Sequence, residues 1–243
     1  MIRKLSLFSL VALIAVAVAC GGGSEMESMP ADEPAADAAP GPTTGDGTPM
    51  FEVDPFWPKP MPNNWLLGST IGVAVDSRDH VWVVHRGNLG ANEMPAALDP
   101  PFAEECCHPA PPILEFDPDG NLVGHWGGPG EGYDWPESNH GIAVDSMDNV
   151  WIGGNGGTDS HVLKFTRAGE FLLQVGEHDH EGPDSLSTTR YSQVAKVRYD
   201  ASSNEVYIAD GYGNRRVAVV DADTGELKRF WGAYGNEPND DEL

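Results

Sequence analysis

Short runs in which apolar side chains alternate with polar or small ones, each closed by a polar turn, fill the chain from residue 64 to 236. Gly72–Asp76 (GVAVD) is followed by Val81–Val84 (VWVV), Gly141–Asp145 (GIAVD) by Val150–Ile152 (VWI), and Ala195–Asp200 (AKVRYD) by Val206–Ile208 (VYI). Runs rich in β-branched and aromatic residues, separated by Asp, Ser and Asn, predict pairs of short strands. Each pair precedes a second apolar–turn–apolar segment: ILEFDPDGNLVGHWG at 113–127, VLKFTRAGEFLLQVG at 162–176 and VAVVDADTGELKRFWG at 217–232. Gly120, Gly169 and Gly225 fall in the turns of these segments, where a positive φ is often needed and glycine adopts it without penalty.

The turn glycines recur about every 50 residues, a spacing that suits units of four antiparallel strands. One such unit cannot bury both faces of its sheet, whereas units stacked around an axis can. The expected fold is therefore all-β, a β-propeller with three four-stranded blades in this chain. Trp82, Trp151 and Tyr207 recur at one strand position and are expected to pack between blades. Asp76, Asp145 and Asp200 recur at the first turn of every repeat, as expected of side chains that accept hydrogen bonds from turn amides.

The first 50 residues carry a different pattern. Arg3 and Lys4 precede an apolar run from Leu5 to Val18, too short for a comfortable membrane span, which ends in Ala19-Cys20-Gly21. This resembles the lipobox of bacterial lipoproteins, which implies acylation of Cys20, removal of what precedes it, and lipid anchoring of an exported protein to the bacterial membrane. Gly21 after the cysteine, in place of Asp, implies sorting to the outer membrane of a cell that has two. Residues 21–50 hold acidic residues and prolines with no aromatic, Lys or Arg, and such a segment has too little apolar surface to offset its ordering entropy. The expected organisation is a signal peptide over 1–20, a disordered tether over 21–50 and a partial propeller over 51–243.

Acidic residues outnumber basic ones 38 to 14, for a formal charge of −24, which excludes nucleic acid as a partner held through phosphate contacts. Cationic partners or divalent metals suit such a surface better, although acidity also serves solubility alone.

Strand topology predicts where chemistry can gather. Successive strands run antiparallel, so residues just before strand one and just after strand two of every blade share one mouth. His140 precedes strand one of the second blade, while Arg86 and Tyr212 follow strand two of the first and third. The positions equivalent to His140 hold Ile71 and Ala195, so repeat packing alone does not call for an imidazole there. A histidine at this place either binds a metal with ligands from other blades or hydrogen-bonds a neighbouring loop. An insertion from Asn88 to Pro112 overhangs the same mouth. It carries Cys106 and Cys107, adjacent in a chain expected in an oxidising compartment, where a vicinal disulfide or pairing elsewhere is open to them. His178-Asp179-His180 places two imidazoles on one side of an extended loop near that mouth, as a metal pair or as solvated polar residues.

The stretch HWGGPGEGYDWPESNHGIAVDSMDNVWI resembles the NHL repeat, whose propellers usually have six blades, so the chain is expected to be part of a longer propeller. GVAVDSRDHVWVVHRGN, NHGIAVDSMDNVWI and VYIADGYGNRRV further resemble three successive blades of peptidyl-α-hydroxyglycine α-amidating lyases. That resemblance implies cleavage of a carbinolamide to an amide and glyoxylate. It implies zinc (Zn2+) bound by His140 and by later histidines, Arg86 as clamp for the substrate carboxylate, and Tyr212 as general base. It also implies structural calcium (Ca2+) held in part by the backbone carbonyls of Val73 and Ile142. The family's tyrosine is followed by a disulfide-bonded cysteine, whereas Gly213 stands here. The alternative reading is a non-catalytic propeller, tethered by lipid, that offers its mouth to a peptide, protein or small-molecule ligand.

Overall fold

The computed structural model describes residues 43–87, 107–179 and 182–240. Cys20, Cys106, His180 and most of the expected tether lie outside the described residues. Residues 43–50, at the end of that tether, make an exposed turn closed by a Thr43–Pro49 bridge.

The first repeat contains β1 (Trp65–Leu66), β2 (Thr70–Val75), β3 (Val81–His85), β4 (His108–Pro109), β5 (Ile113–Phe116) and β6 (Leu122–Trp126). β2, β3, β5 and β6 form an antiparallel four-stranded sheet, and β1 pairs in parallel with β4 beside it. The second sheet is β7 (Asn139–Val144), β8 (Val150–Gly154), β9 (His161–Phe165) and β10 (Phe171–Gly176). The third is β11 (Lys196–Asp200), β12 (Glu205–Asp210), β13 (Arg216–Asp221) and β14 (Leu227–Trp231). The chain is thus nearly all-β, with the expected strands in each of three sheets. Gly120, Gly169 and Gly225 adopt φ of 81°, 85° and 72° in the outer hairpin turns, the left-handed region that would strain a side chain.

The first strands of the sheets, β2, β7 and β11, lie side by side, and the core fills the spaces between sheets. Trp82, Val84 and Ile113 of the first sheet pack on Ile142, Ile152, Leu163 and Phe165 of the second. Trp151 and Val162 pack on Val197, Ile208 and Val220 of the third. The middle sheet is covered on both faces, so β8 and β9 are buried along their whole length. Trp82 and Trp151 are fully buried, whereas Tyr207, at the same position of the third sheet, is half-buried under the Arg229 guanidinium.

The recurrent aspartates cap the turns as expected. Asp76 Oδ1 accepts the amides of Arg78 and His80, Asp145 Oδ1 those of Met147 and Asn149, and Asp200 Oδ1 that of Ser202. The first two add a tie not legible in the turn pattern, since Trp82 Nε1 donates to Asp76 and Trp151 Nε1 to Asp145, at 3.0 and 3.3 Å. Burial disfavours the ionised form of both carboxyls, but these hydrogen bonds, with Arg78 beside Asp76 and Lys164 near Asp145, outweigh it and hold both below the usual carboxylate range.

Candidate functional site

The start of β7 differs from its counterpart in β2 through a shift of the β-bulge. In the first sheet Thr70 faces His85 and Gly72 faces Val84, with Ile71 as the extra residue. In the second, His140 faces Gly153 and Ile142 faces Ile152, so the extra residue is Gly141, at φ 76°. A Cβ on Gly141 would lie 3.0 Å from Lys196 Cα in the next sheet. Only glycine fits both the conformation and the approach, and the bulge re-aims the residue before it. His140 Nδ1 thereby stands 2.6 Å from the carbonyl oxygen of Ala195, its equivalent in the third repeat. With Nδ1–H donated to that carbonyl, Nε2 keeps its lone pair, which is the tautomer and second-shell arrangement of a metal-binding histidine.

Tyr212 Oη lies 3.4 Å from His140 Nε2, the rings meeting edge to face with centroids 5.6 Å apart. At that distance the phenol holds Nε2 only weakly and leaves it open to another partner. Tyr212 is 56% exposed, yet its loop is firmly fixed from below. Asp210, fully buried, accepts the Ser192 amide, Asn214 Nδ2 and Arg216 Nε, each at 2.7–2.8 Å. Arg216 also donates to the carbonyls of Ser185, Ser187 and Arg190. Gly213 donates its amide to Ser192, and no Cβ would fit there, because Ser192 Oγ would stand 1.9 Å away. A buried ionic clamp thus supports the loop that carries Tyr212. Its aspartate, asparagine and arginine were legible as residues but not as partners, since their spacing carries no signal of the 182–193 loop they hold.

Arg86 reaches the same rim by another route. Its Nη2 donates to Asn155 Oδ1 at 2.9 Å, which also accepts Ser138 Oγ, and the Asn155 carbonyl accepts Gln193 Nε2 from the third repeat. The structure therefore joins His140 and Tyr212 directly and links Arg86 to their rim through Asn155. Among the described residues no carboxylate pairs with Arg86, and its Nε is buried without a hydrogen-bond acceptor. A cavity of about 200 Å³ beside it is lined by Gly87, Pro112, Trp135, Pro136, Glu137 and Asn139 among others. A guanidinium without an ion pair at the edge of this recess offers a hydrogen-bond fork to a carboxylate ligand, while Glu137 in the same lining adds a negative charge that such a ligand has to avoid.

Val73 and Ile142 lie on the first strands of their sheets and line a groove of about 240 Å³ with Lys196 and Arg198. The described lining has two cationic side chains and no carboxylate. The described residues thus do not by themselves fit calcium, which prefers carboxylate oxygen. Cys107 is disulfide-bonded, and both other cysteines of the chain lie outside the described residues. A sulfur so engaged is withdrawn from any metal site with His108.

A further cluster, at the opposite end of the sheets, escaped the sequence reading. Asp76, His80 and Glu115 bring one possible metal-ligand atom each within 4.8 Å of one another. Their oxygens are already engaged by guanidinium and imidazole groups. Arg167 Nη2 and His80 Nδ1 lie 2.8 and 2.7 Å from Glu115 Oε1, and Arg78 Nη2 lies 2.7 Å from Asp76. The guanidiniums repel a metal cation, and the ion pairs account for the cluster without one.

No protein-family profile matches the chain. It is 27% identical over 194 residues to peptidyl-α-hydroxyglycine α-amidating lyase 1 of Drosophila melanogaster, an alignment that covers 72% of this chain and 31% of the relative. It is also 27% identical over 183 residues to mouse NHL repeat-containing protein 3, covering 72% of this chain and 44% of the relative. These likenesses support an NHL-like propeller. The chain spans less than half the length of either relative. Among solved structures, a gluconolactonase from Xanthomonas campestris is similar at 15% identity and a TM-score of 0.40, over 76% of this chain and 52% of the enzyme. A virginiamycin B lyase from Staphylococcus aureus is similar at 12% identity and a TM-score of 0.38, over 73% and 45%.

Proposed function

We propose that this NHL-like protein is an exported lipoprotein, anchored through Cys20, whose mouth carries a zinc-dependent lyase site for α-hydroxyglycine substrates, completed by further blades to a six-bladed propeller. The observation that carries this reading is the contact of Tyr212 Oη with His140 Nε2, on an imidazole whose other nitrogen is fixed by Ala195. The likeness to the Drosophila lyase supports it independently.

His140 would hold the metal through Nε2, with the other ligands outside the described residues. When bound, zinc supplies Lewis acidity toward the substrate oxygens. Arg86 pairs with the substrate carboxylate by a forked hydrogen bond and so fixes the carbinol carbon relative to the phenol. Tyr212, as the phenolate, accepts the proton of the carbinol hydroxyl at Oη and returns it to the departing nitrogen. The carbinol C–O becomes the aldehyde carbonyl of glyoxylate, the C–N bond breaks, and the nitrogen takes up a proton to leave as the primary amide. A second reading, a tethered propeller that binds ligands without chemistry, has support in the equal identity to the NHL repeat-containing protein.

Glyoxylate release from an N-acyl-α-hydroxyglycine, measured with zinc content, separates the two. Tyr212→Phe is expected to lose about 10²–10⁴-fold in rate while its stability stays within about 0.5 kcal/mol, because the side chain is largely exposed. His140→Ala is expected to lose both zinc and rate. Absence of glyoxylate from the wild-type protein, or unchanged metal content in His140→Ala, rejects the lyase reading.

A further inference from the structure

His161 begins β9 at the same mouth, farther from the first strands than His140, and no part of the proposed lyase chemistry uses it. It is fully buried. Its Nε2 lies 2.6 Å from the carbonyl oxygen of Asp134, in the connection between the first and second sheets, which fixes Nε2 as the protonated nitrogen. Nδ1 then carries a lone pair, and it is buried with no hydrogen-bond partner among the described residues. A buried acceptor left open is uncommon and calls for a cause.

A second imidazole stands beside it. His178, in the connection between the second and third sheets, has its ring centroid 5.4 Å from that of His161, at an interplanar angle of 66°. Two imidazoles that share a tetrahedral ion at usual zinc–nitrogen distances have centroids about 5 Å apart. The loop bearing His178 is fastened down. Ser160 Oγ donates to the Glu177 carbonyl, and the Asp179 amide donates to Thr158 at 3.2 Å. Asp179, at φ 67°, turns the chain directly after His178. The Asp159 carboxylate lies near enough to act electrostatically on the His161 ring and favours positive charge there.

We infer that His161 Nδ1 and the His178 imidazole form a site for a divalent transition-metal ion of the zinc class, separate from the site at His140. The ion is held between the two inter-sheet connections, with solvent completing its coordination, and so ties the loops at positions 134 and 178 to the start of β9. Imidazole pairs suit zinc, copper(II) and nickel(II) over magnesium or calcium, which prefer oxygen. The pairing differs from that suggested by sequence spacing, which would join His178 to His180.

The test is zinc binding by equilibrium dialysis and titration calorimetry on the full chain, with three variants. His140→Ala is expected to retain this zinc, and His178→Ala to bind it at least tenfold more weakly. His178 is half-buried at the surface, so its replacement is expected to leave the fold intact, checked by circular dichroism. His140→Ala/His178→Ala is expected to bind no zinc more tightly than background. A His178→Ala variant with affinity within twofold of wild type overturns the proposal, as does a His140→Ala protein that binds no zinc. Unchanged total zinc in His140→Ala counts against the lyase reading alone, and unchanged zinc affinity in His178→Ala counts against this site alone, so the two proposals fail separately.

Discussion

The two ends of the sheets treat their charges differently. At the turn end, Asp76, Glu115, Asp145, Arg78, Arg167 and Lys164 are joined in ion pairs between 2.7 and 3.8 Å, and Trp82 and Trp151 donate into the same clusters. At the mouth, Arg86 Nε, Asn139 Oδ1, His161 Nδ1 and Ser185 Oγ are buried without partners, while at the turn end only Arg78 Nε is so placed among the described residues. Buried polar atoms are normally satisfied, because an orphaned group loses water and gains nothing. Unpaired groups gathered at the mouth make it the stronger candidate for a ligand site among the described residues. The comparison also shows why the Asp76–His80–Glu115 cluster, which has the composition of a metal site, is the weaker candidate. Its groups are already paired, whereas Arg86, Asn139, His161 and Ser185 at the mouth each keep one atom open.

Replacing Glu115 breaks the turn end most severely. Glu115→Ala removes the buried acceptor of the His80 imidazole and the anion of the partly exposed Arg167, and an expected loss of about 2–4 kcal/mol follows in urea unfolding. Addition of a chelator leaves the wild-type unfolding midpoint unchanged at this site if the cluster is purely ionic, and a chelator-induced drop that Glu115→Ala abolishes would point to a bound metal instead.

The next effect in size comes from the bulge. Gly141→Ala forces a side chain into a left-handed conformation and against Lys196, with an expected destabilisation of about 1–3 kcal/mol. Because the bulge aims His140, the zinc site proposed there predicts that the variant also loses zinc affinity, whereas an alanine at the exposed Gly157 does not, which separates aim from general damage.

The smallest effect sharpens the comparison through pH. Burial holds the His85 and His161 imidazoles below the usual histidine range. His85 Nδ1 accepts the Gly68 amide and so has no place for a second proton. A group with a lowered folded value stabilises fully above its unfolded value, about 6.5, and that contribution is lost as pH falls from there toward the folded value. The urea midpoint is therefore expected to decline from pH 7.5 to 5. His85→Asn is expected to remove part of that slope, and an unchanged slope in this variant would show that His85 is not protonated in the unfolding reaction.

Much of the architecture was legible in the chain. The alternation of apolar and polar positions, the repeating Asp turn and the hairpin glycines placed every strand of the three sheets, because strand pairing and turn geometry are local matters of side-chain period and φ. The same topology put Arg86, His140 and Tyr212 at one mouth. What sequence could not supply was the state of each group once there. That His140 Nδ1 is spent on Ala195, that Arg86 reaches the rim through Asn155, that Asp210 and Arg216 hold the Tyr212 loop, and that His161 meets His178 all depend on residues distant in the chain. Hydrogen bonds act over about 3 Å and within narrow angles. Sequence set the period that builds the sheets, and only their packing in three dimensions decided which polar atoms found partners and which were left open.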